Sequence, residues 1–200
     1  MRINGRRALV MNNLTYTPLI YIQSNGECYI ETGVLNKDVS IEMHLVTQIK
    51  NANECLWCSR DGWQVNTFSA FVENGINLRV DLGDTLYNVM NVKDKTEMVI
   101  GCSNGVVKID GSTVFTTSPK KFYNYNYITL LDSRIGSDEP ITDHSNNANF
   151  WLKGCKIWQG GTLVRDFIPA LKLRTEAGLL DRVSGDFYTS PNGAKFNYKL

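Results

Sequence analysis

The sequence predicts an all-β fold, an antiparallel β-sandwich, and three observations carry that prediction. Turn pairs such as Asn104-Gly105, Asp110-Gly111 and Gly160-Gly161 separate short apolar runs, and such pairs supply the positive φ that tight hairpins require. The run Ile41-Glu-Met-His-Leu-Val46 alternates apolar and polar residues with a period of two, as a strand buried on one face does. No segment shows a convincing helical period. The best candidate, Ala170 to Ala177, lies between turn signals and has room for one short turn.

Taken in chain order, Tyr21 to Val34 reads as two short strands around Ser24-Asn25-Gly26. Met98 to Thr117 reads as a three-stranded meander, bent at Asn104-Gly105 and Asp110-Gly111. Phe150 to Trp158 and Leu163 to Ile168 form a hairpin across Gly160-Gly161, with at least one of Phe167 and Ile168 pointing inward; Pro169, lacking an N–H, is expected to stop the second strand. Further bends are expected at Ala177-Gly178, Ser184-Gly185 and Asn192-Gly193. Asp132 to Asn149 is the longest irregular stretch, and long loops in compact domains are often functional. It is the leading candidate for a partner-contacting surface.

A chain of 200 residues supports one well-packed core. No run approaches the roughly 18 apolar residues of a membrane span. Ala8 to Met11, behind Arg2, Arg6 and Arg7, is far shorter than the apolar core of about 7–15 residues in a secretory signal, so the chain is expected to be made and kept in a cytoplasm until assembly. With 21 basic against 20 acidic residues there is no global field to favour nucleic acid or an anionic membrane. Residues 1–18 are the exception: three arginines and no acid, either an arm that docks on an acidic partner surface or a frayed tail. The five cysteines, Cys28, Cys55, Cys58, Cys102 and Cys155, are odd in number, which argues for free thiols. Cys55-Leu-Trp-Cys58 has no second ligand pair to complete a zinc site.

Two segments carry a resemblance. Tyr21, Ile22, Ser24, Gly26, Tyr29, Ile30, Thr32 and Gly33 match its opening, and Leu163 to Phe167, Pro169, Gly178, Leu179, Asp181, Val183, Phe187 and Tyr188 match its close. With them the chain resembles the concanavalin A-like, laminin G-like jelly rolls of phage structural proteins and gut-bacterial surface proteins, over about residues 19 to 197. The resemblance implies a jelly-roll domain at 19–200 behind an N-terminal arm at 1–18, and it favours Phe167 over Ile168 as the inward side chain. Such domains are usually binding or structural modules. The leading expectation is a non-catalytic phage virion protein, a capsid-surface decoration or tail-associated, made in the bacterial host cytoplasm. It would dock to other virion proteins, capsid protein included, through Arg2, Arg6 and Arg7. The alternative is a lectin-like module recognising host or mucosal glycans. Either is compatible with a homo-oligomer.

For glycan binding the candidate rings are Trp57, Trp63, Tyr123, Tyr125 and Tyr127, since exposed aromatic faces stack on sugars; in Tyr123-Asn-Tyr-Asn-Tyr127 the three tyrosines share one face. A glycoside hydrolase, the third reading, is disfavoured. Hydrolysis needs two facing carboxylates, no alternating acidic triad occurs, and Asp138-Glu139 and Asp81 with Asp84 lie in turn-like sequence, where acids are solvated or capping. No catalytic residue and no cofactor is expected. Calcium is the one metal with candidate ligands, Asp132, Asp138, Glu139 and Asp143, because laminin G-like domains often bind it at the sandwich rim and these are hard oxygen donors.

Overall fold

The computed structural model describes residues 15–48, 53–61, 66–119, 122, 126–132 and 148–200, with the backbone alone at 2–3, 6–7, 9–11 and 14. These residues form strands and no helix, hence no helix long and apolar enough to cross a membrane. The strands are β1 (Arg2–Ile3), β2 (Arg6–Arg7), β3 (Leu9–Met11), β4 (Leu14–Pro18), β5 (Tyr21–Gln23), β6 (Ile30–Leu35) and β7 (Val39–Val46). They continue as β8 (Asn53–Ser59), β9 (Thr67–Glu73), β10 (Asn77–Gly83), β11 (Thr85–Asn91), β12 (Glu97–Ser103), β13 (Val106–Ile109) and β14 (Ser112–Thr116). The last are β15 (Tyr127–Leu130), β16 (Trp151–Gln159), β17 (Thr162–Lys172), β18 (Glu176–Asp181), β19 (Phe187–Tyr188) and β20 (Asn197–Lys199).

One sheet has six strands in the order β11-β10-β9-β8-β15-β6. The larger runs β14-β13-β12-β7-β16-β17-β18-β19, with β20 and β5 joined beside β16, and β3 and β4 beside β17. The core lies between them. Ile41, Met43 and Leu45 of β7 alternate inward, as the period-two reading requires, and meet Leu78, Val80 and Leu82 of β10 within the same apolar cluster. Tyr21 to Val34 does give two strands, but in different sheets, β5 in the larger and β6 in the smaller. The meander forms as expected, with positive φ at Asn104, Gly105, Asp110 and Gly111.

Three details depart from the sequence reading. Pro169 does not end its strand; β17 continues to Lys172, and Pro169 pairs with Leu179 of β18. The reason is the direction of its backbone. The Pro169 carbonyl accepts the Leu19 N–H at 3.0 Å, on the side away from β18, and a residue in a strand aims its N–H and C=O the same way. The missing donor therefore costs the β18 ladder nothing. The bend expected at Ala177-Gly178 lies instead at Leu173 and Arg174, with φ 49° and 65°, and Gly178 is inside β18. A Cβ there would come 2.3 Å from the Tyr188 carbonyl, so this glycine serves close packing against β19. Finally, pairing does not stop at residue 18: β4 lies along β17, with Tyr16 opposite Lys172 and Pro18 opposite Ala170. Tyr16 is buried against Ala170, Leu180 and Phe187.

Candidate functional site

Trp57 is fully buried. A register shift on β8 between Cys55 and Trp57 sends both Leu56 and Trp57 inward, where Trp57 packs against Phe68. Its ring is core, which corrects the expectation that it faces a sugar. Tyr127 does stand 53% exposed on β15, whereas Trp63, Tyr123 and Tyr125 lie outside the described residues, and with them the tyrosine platform. Arg2 and Arg7 are opposite one another in the β1–β2 ribbon, beside Ile3 and Arg6; their side chains lie outside the described set.

Of the calcium candidates only Asp132 is described. It is buried, and its backbone carbonyl accepts the Cys55 thiol at 3.2 Å and the Thr129 hydroxyl at 3.1 Å. Asp138, Glu139 and Asp143 lie outside, as does most of the 132–149 loop. Among the described residues no group of three or more His, Cys, Asp or Glu side chains is placed to hold a metal. All five cysteines are buried free thiols. Asp81 is not in a turn: it sits buried within β10, its carboxylate 2.9 Å from Arg79 Nε and bonded to the Ser69 hydroxyl at 3.3 Å. Burial pushes its pKa up against the pull of Arg79. Asp84 does cap, accepting the Asn66 N–H at 3.0 Å.

The outer face of the larger sheet carries what the sequence reading missed. In Cys155-Lys-Ile-Trp158, Cys155 and Ile157 point into the core, so Lys156 and Trp158 point out. Trp158 lies opposite Ser40 of β7, which lies opposite Ser103 of β12, and the two hydroxyls are 2.7 Å apart. In the next row Lys156 faces Glu42, Glu42 faces Gly101, and Gly101 faces Lys108. Gly101 has no side chain to fill its place, and a Cβ there would meet nothing nearer than 3.8 Å. The result is a shallow groove of about 320 Å³ lined by Trp158, Ser40, Ser103, Glu42, Gly101 and Lys108. It offers an indole wall beside two hydroxyls, a carboxylate acceptor and an ammonium donor. That is the chemistry that takes a polyol with one apolar face. The local alternation Cys155-Lys-Ile-Trp158 held the signal for Trp158, whereas the partners from β7, β12 and β13 come from register, which no local pattern specifies.

Further along the same face, Glu97 accepts hydrogen bonds from Lys153 and from His44, the latter at 2.8 Å. These bonds hold the Glu97 carboxyl below its ordinary pKa.

No family model matches this sequence, and no curated protein matches it. Solved structures do. A candidate carbohydrate-binding protein from Bacteroides ovatus aligns over 92% of this chain and 61% of its own, at 12% identity and a TM-score of 0.57. The NanB sialidase from Streptococcus pneumoniae aligns over 92% of this chain and 39% of its own, at 12% identity and a TM-score of 0.51. The chain thus spans less than two thirds of either protein. At such identity the likeness is one of fold, and it agrees with the jelly-roll sandwich that the sequence implied.

Proposed function

We propose that this chain is a non-catalytic, lectin-like module that binds carbohydrate on the outer face of its larger sheet, with Trp158 as the stacking platform. The observation that carries the reading is the groove itself, where one indole, two serine hydroxyls, Glu42 and Lys108 converge over the gap at Gly101. The fold neighbour from Bacteroides ovatus, itself a carbohydrate-binding candidate, supports the same class. Glycoside hydrolysis needs two carboxyl groups on either side of the bond to be cleaved, and Glu42 is the one carboxylate among the described residues lining the groove. The resemblance to jelly rolls of phage structural proteins and gut-bacterial surface proteins suggests a setting, a particle or cell surface that displays such a module; the binding chemistry does not depend on it.

The test is binding of the purified chain to an array of plant, mucosal and bacterial glycans, followed by calorimetry on the hits. Trp158→Ala should weaken binding tenfold or more with an unchanged melting temperature. Gly101→Val should do the same by filling the groove, since a Cβ meets no obstacle there. No glycan binding, or binding indifferent to both substitutions, overturns the proposal.

A further inference from the structure

Trp158 is one of two tryptophans on β16, and the other changes what the site can hold. Trp151 and Trp158 are separated by an odd interval, which in a regular strand would put them on opposite faces. The register shift against β7 between Leu152 and Gly154 adds a residue to β16 and restores the parity. Both indoles therefore emerge on the outer face, while their neighbours Leu152 and Ile157 are fully buried. Trp151 lies flat against Tyr21, ring centroids 4.5 Å apart and planes 5° from parallel, and both rings are half-buried. Tyr21 holds Trp151 as a second, braced platform. Strand rise sets the two tryptophans roughly 20 Å apart.

The surface between them is suited to a chain. Between the row of Trp158 with Ser40 and the row of Trp151 with the buried Val46, the outward positions of β7 and β16 are Glu42, His44, Lys153, Gly154 and Lys156, all polar or without a side chain. A Cβ at Gly154 would come to a tight 3.2 Å from the Phe167 carbonyl, so a glycine suits the close pairing of β16 with β17 at this point. Two lysines on this track are matched by Glu42 and by Glu97, which Lys153 already holds. Along the strip these four charges cancel, and the groove adds only Lys108, too little field to select an acidic polymer.

We infer that the ligand is an uncharged linear oligosaccharide lying along β16, one sugar ring on Trp158 and another on the Trp151–Tyr21 stack, rather than a single terminal sugar. This rests on the carbohydrate-binding reading above. The experiment is a calorimetric length series, from mono- to hexasaccharide, of cello-, xylo-, manno- and β-1,3-gluco-oligosaccharides. Affinity should climb with length until both platforms are spanned. Trp151→Ala should cut hexasaccharide binding at least tenfold while leaving disaccharide binding unchanged. Should Trp151→Ala unfold the chain, indole N–H resonances of the unaltered protein give the same answer: a hexasaccharide shifts two of the four and a disaccharide one. A monosaccharide that binds as tightly as the hexamer, with a single indole shifted, overturns the chain-binding inference and leaves carbohydrate binding standing. No sugar of any length binding overturns both.

Discussion

Arg165 of β17 reaches Asp181 of the neighbouring strand β18, its Nη1 3.7 Å from the Asp181 carboxylate, and the pair holds the guanidinium where it can bond across to the smaller sheet. Arg165 Nε also donates to the Thr32 carbonyl of β6 at 2.9 Å, and the guanidinium lies over the Tyr188 ring at 5.7 Å. Gly33 beside it has φ 68°, a backbone conformation that favours glycine, and a Cβ there would meet Arg165 Nη2 at 3.4 Å. Asp181 is fully buried, and its oxygens accept the N–H groups of Asp166 at 2.8 Å and Val183 at 3.0 Å and the Ser184 hydroxyl at 2.9 Å. Thr32, Gly33, Arg165, Asp181 and Tyr188 all belong to the matched motif. They form an inter-sheet latch, which is why the motif indicates fold and is silent on ligand.

Arg165→Met should therefore unfold the chain more easily without touching the outer face. Breaking a buried ion pair costs about 3–5 kcal/mol; the partial exposure of Arg165 places the expected loss near about 3 kcal/mol. Urea denaturation gives the number, and a loss below about 1 kcal/mol would refute the latch.

Tyr16 tests where the domain begins. It is 2% exposed and its ring lies 5.5 Å from Phe187. Truncation of a buried aromatic typically costs about 3–5 kcal/mol. Tyr16→Ala should lower stability by that order, and deletion of residues 1–18 should destabilise at least as much. A deletion that melts with the parent would return these residues to the status of a free arm.

How much of this was legible depends on the range of the forces involved. Hairpin turns at Asn104-Gly105 and Asp110-Gly111 were, because their φ preference is local. The inward Phe167, 1% exposed, followed from the motif match and not from the local pattern, which left Ile168 equally open. Trp57 was misread because a bulge on β8, set by pairing with β9, inverts the parity of its strand; the bulge on β16 hid the pairing of Trp151 with Trp158 in the same way. Pro169 was misread because a missing donor matters only on the side where a ladder runs, and that side is a tertiary fact.

The displaced bend gives a third prediction. Leu173 and Arg174 both adopt positive φ, and Leu173 is 61% exposed, so no packing explains a leucine in a conformation that costs an L-residue about 1–2 kcal/mol. The turn was invisible in sequence because it lacks Gly and Asn. Leu173→Gly, with φ 49° in the parent, should raise stability by about 1 kcal/mol, the relief of strain being partly offset by glycine's larger unfolded-state entropy. A lowered melting temperature would show that the Leu173 side chain contributes more than its backbone strain costs.

The last prediction concerns alkaline pH. Burial alone pushes the Cys102 thiol up to about 12, and burial likewise raises Cys155, helped by the nearby Glu42 and Asp166 carboxylates. Unfolded, each thiol titrates near about 8.5. Between these values the unfolded chain gives up protons that the folded chain keeps, so the unfolded state binds fewer protons and stability falls as pH rises. Each thiol adds a slope of at most about 1.4 kcal/mol per pH unit, reached well above the unfolded pKa. Denaturation midpoints measured from pH 7 to 10.5 should decline, and Cys102→Ala should flatten that decline while costing some stability at pH 7. Ellman's reagent should find the Cys102 thiol inert in the folded chain and reactive in urea. A variant with the same alkaline slope as the parent, or rapid native labelling at Cys102, would show that this thiol reaches solvent.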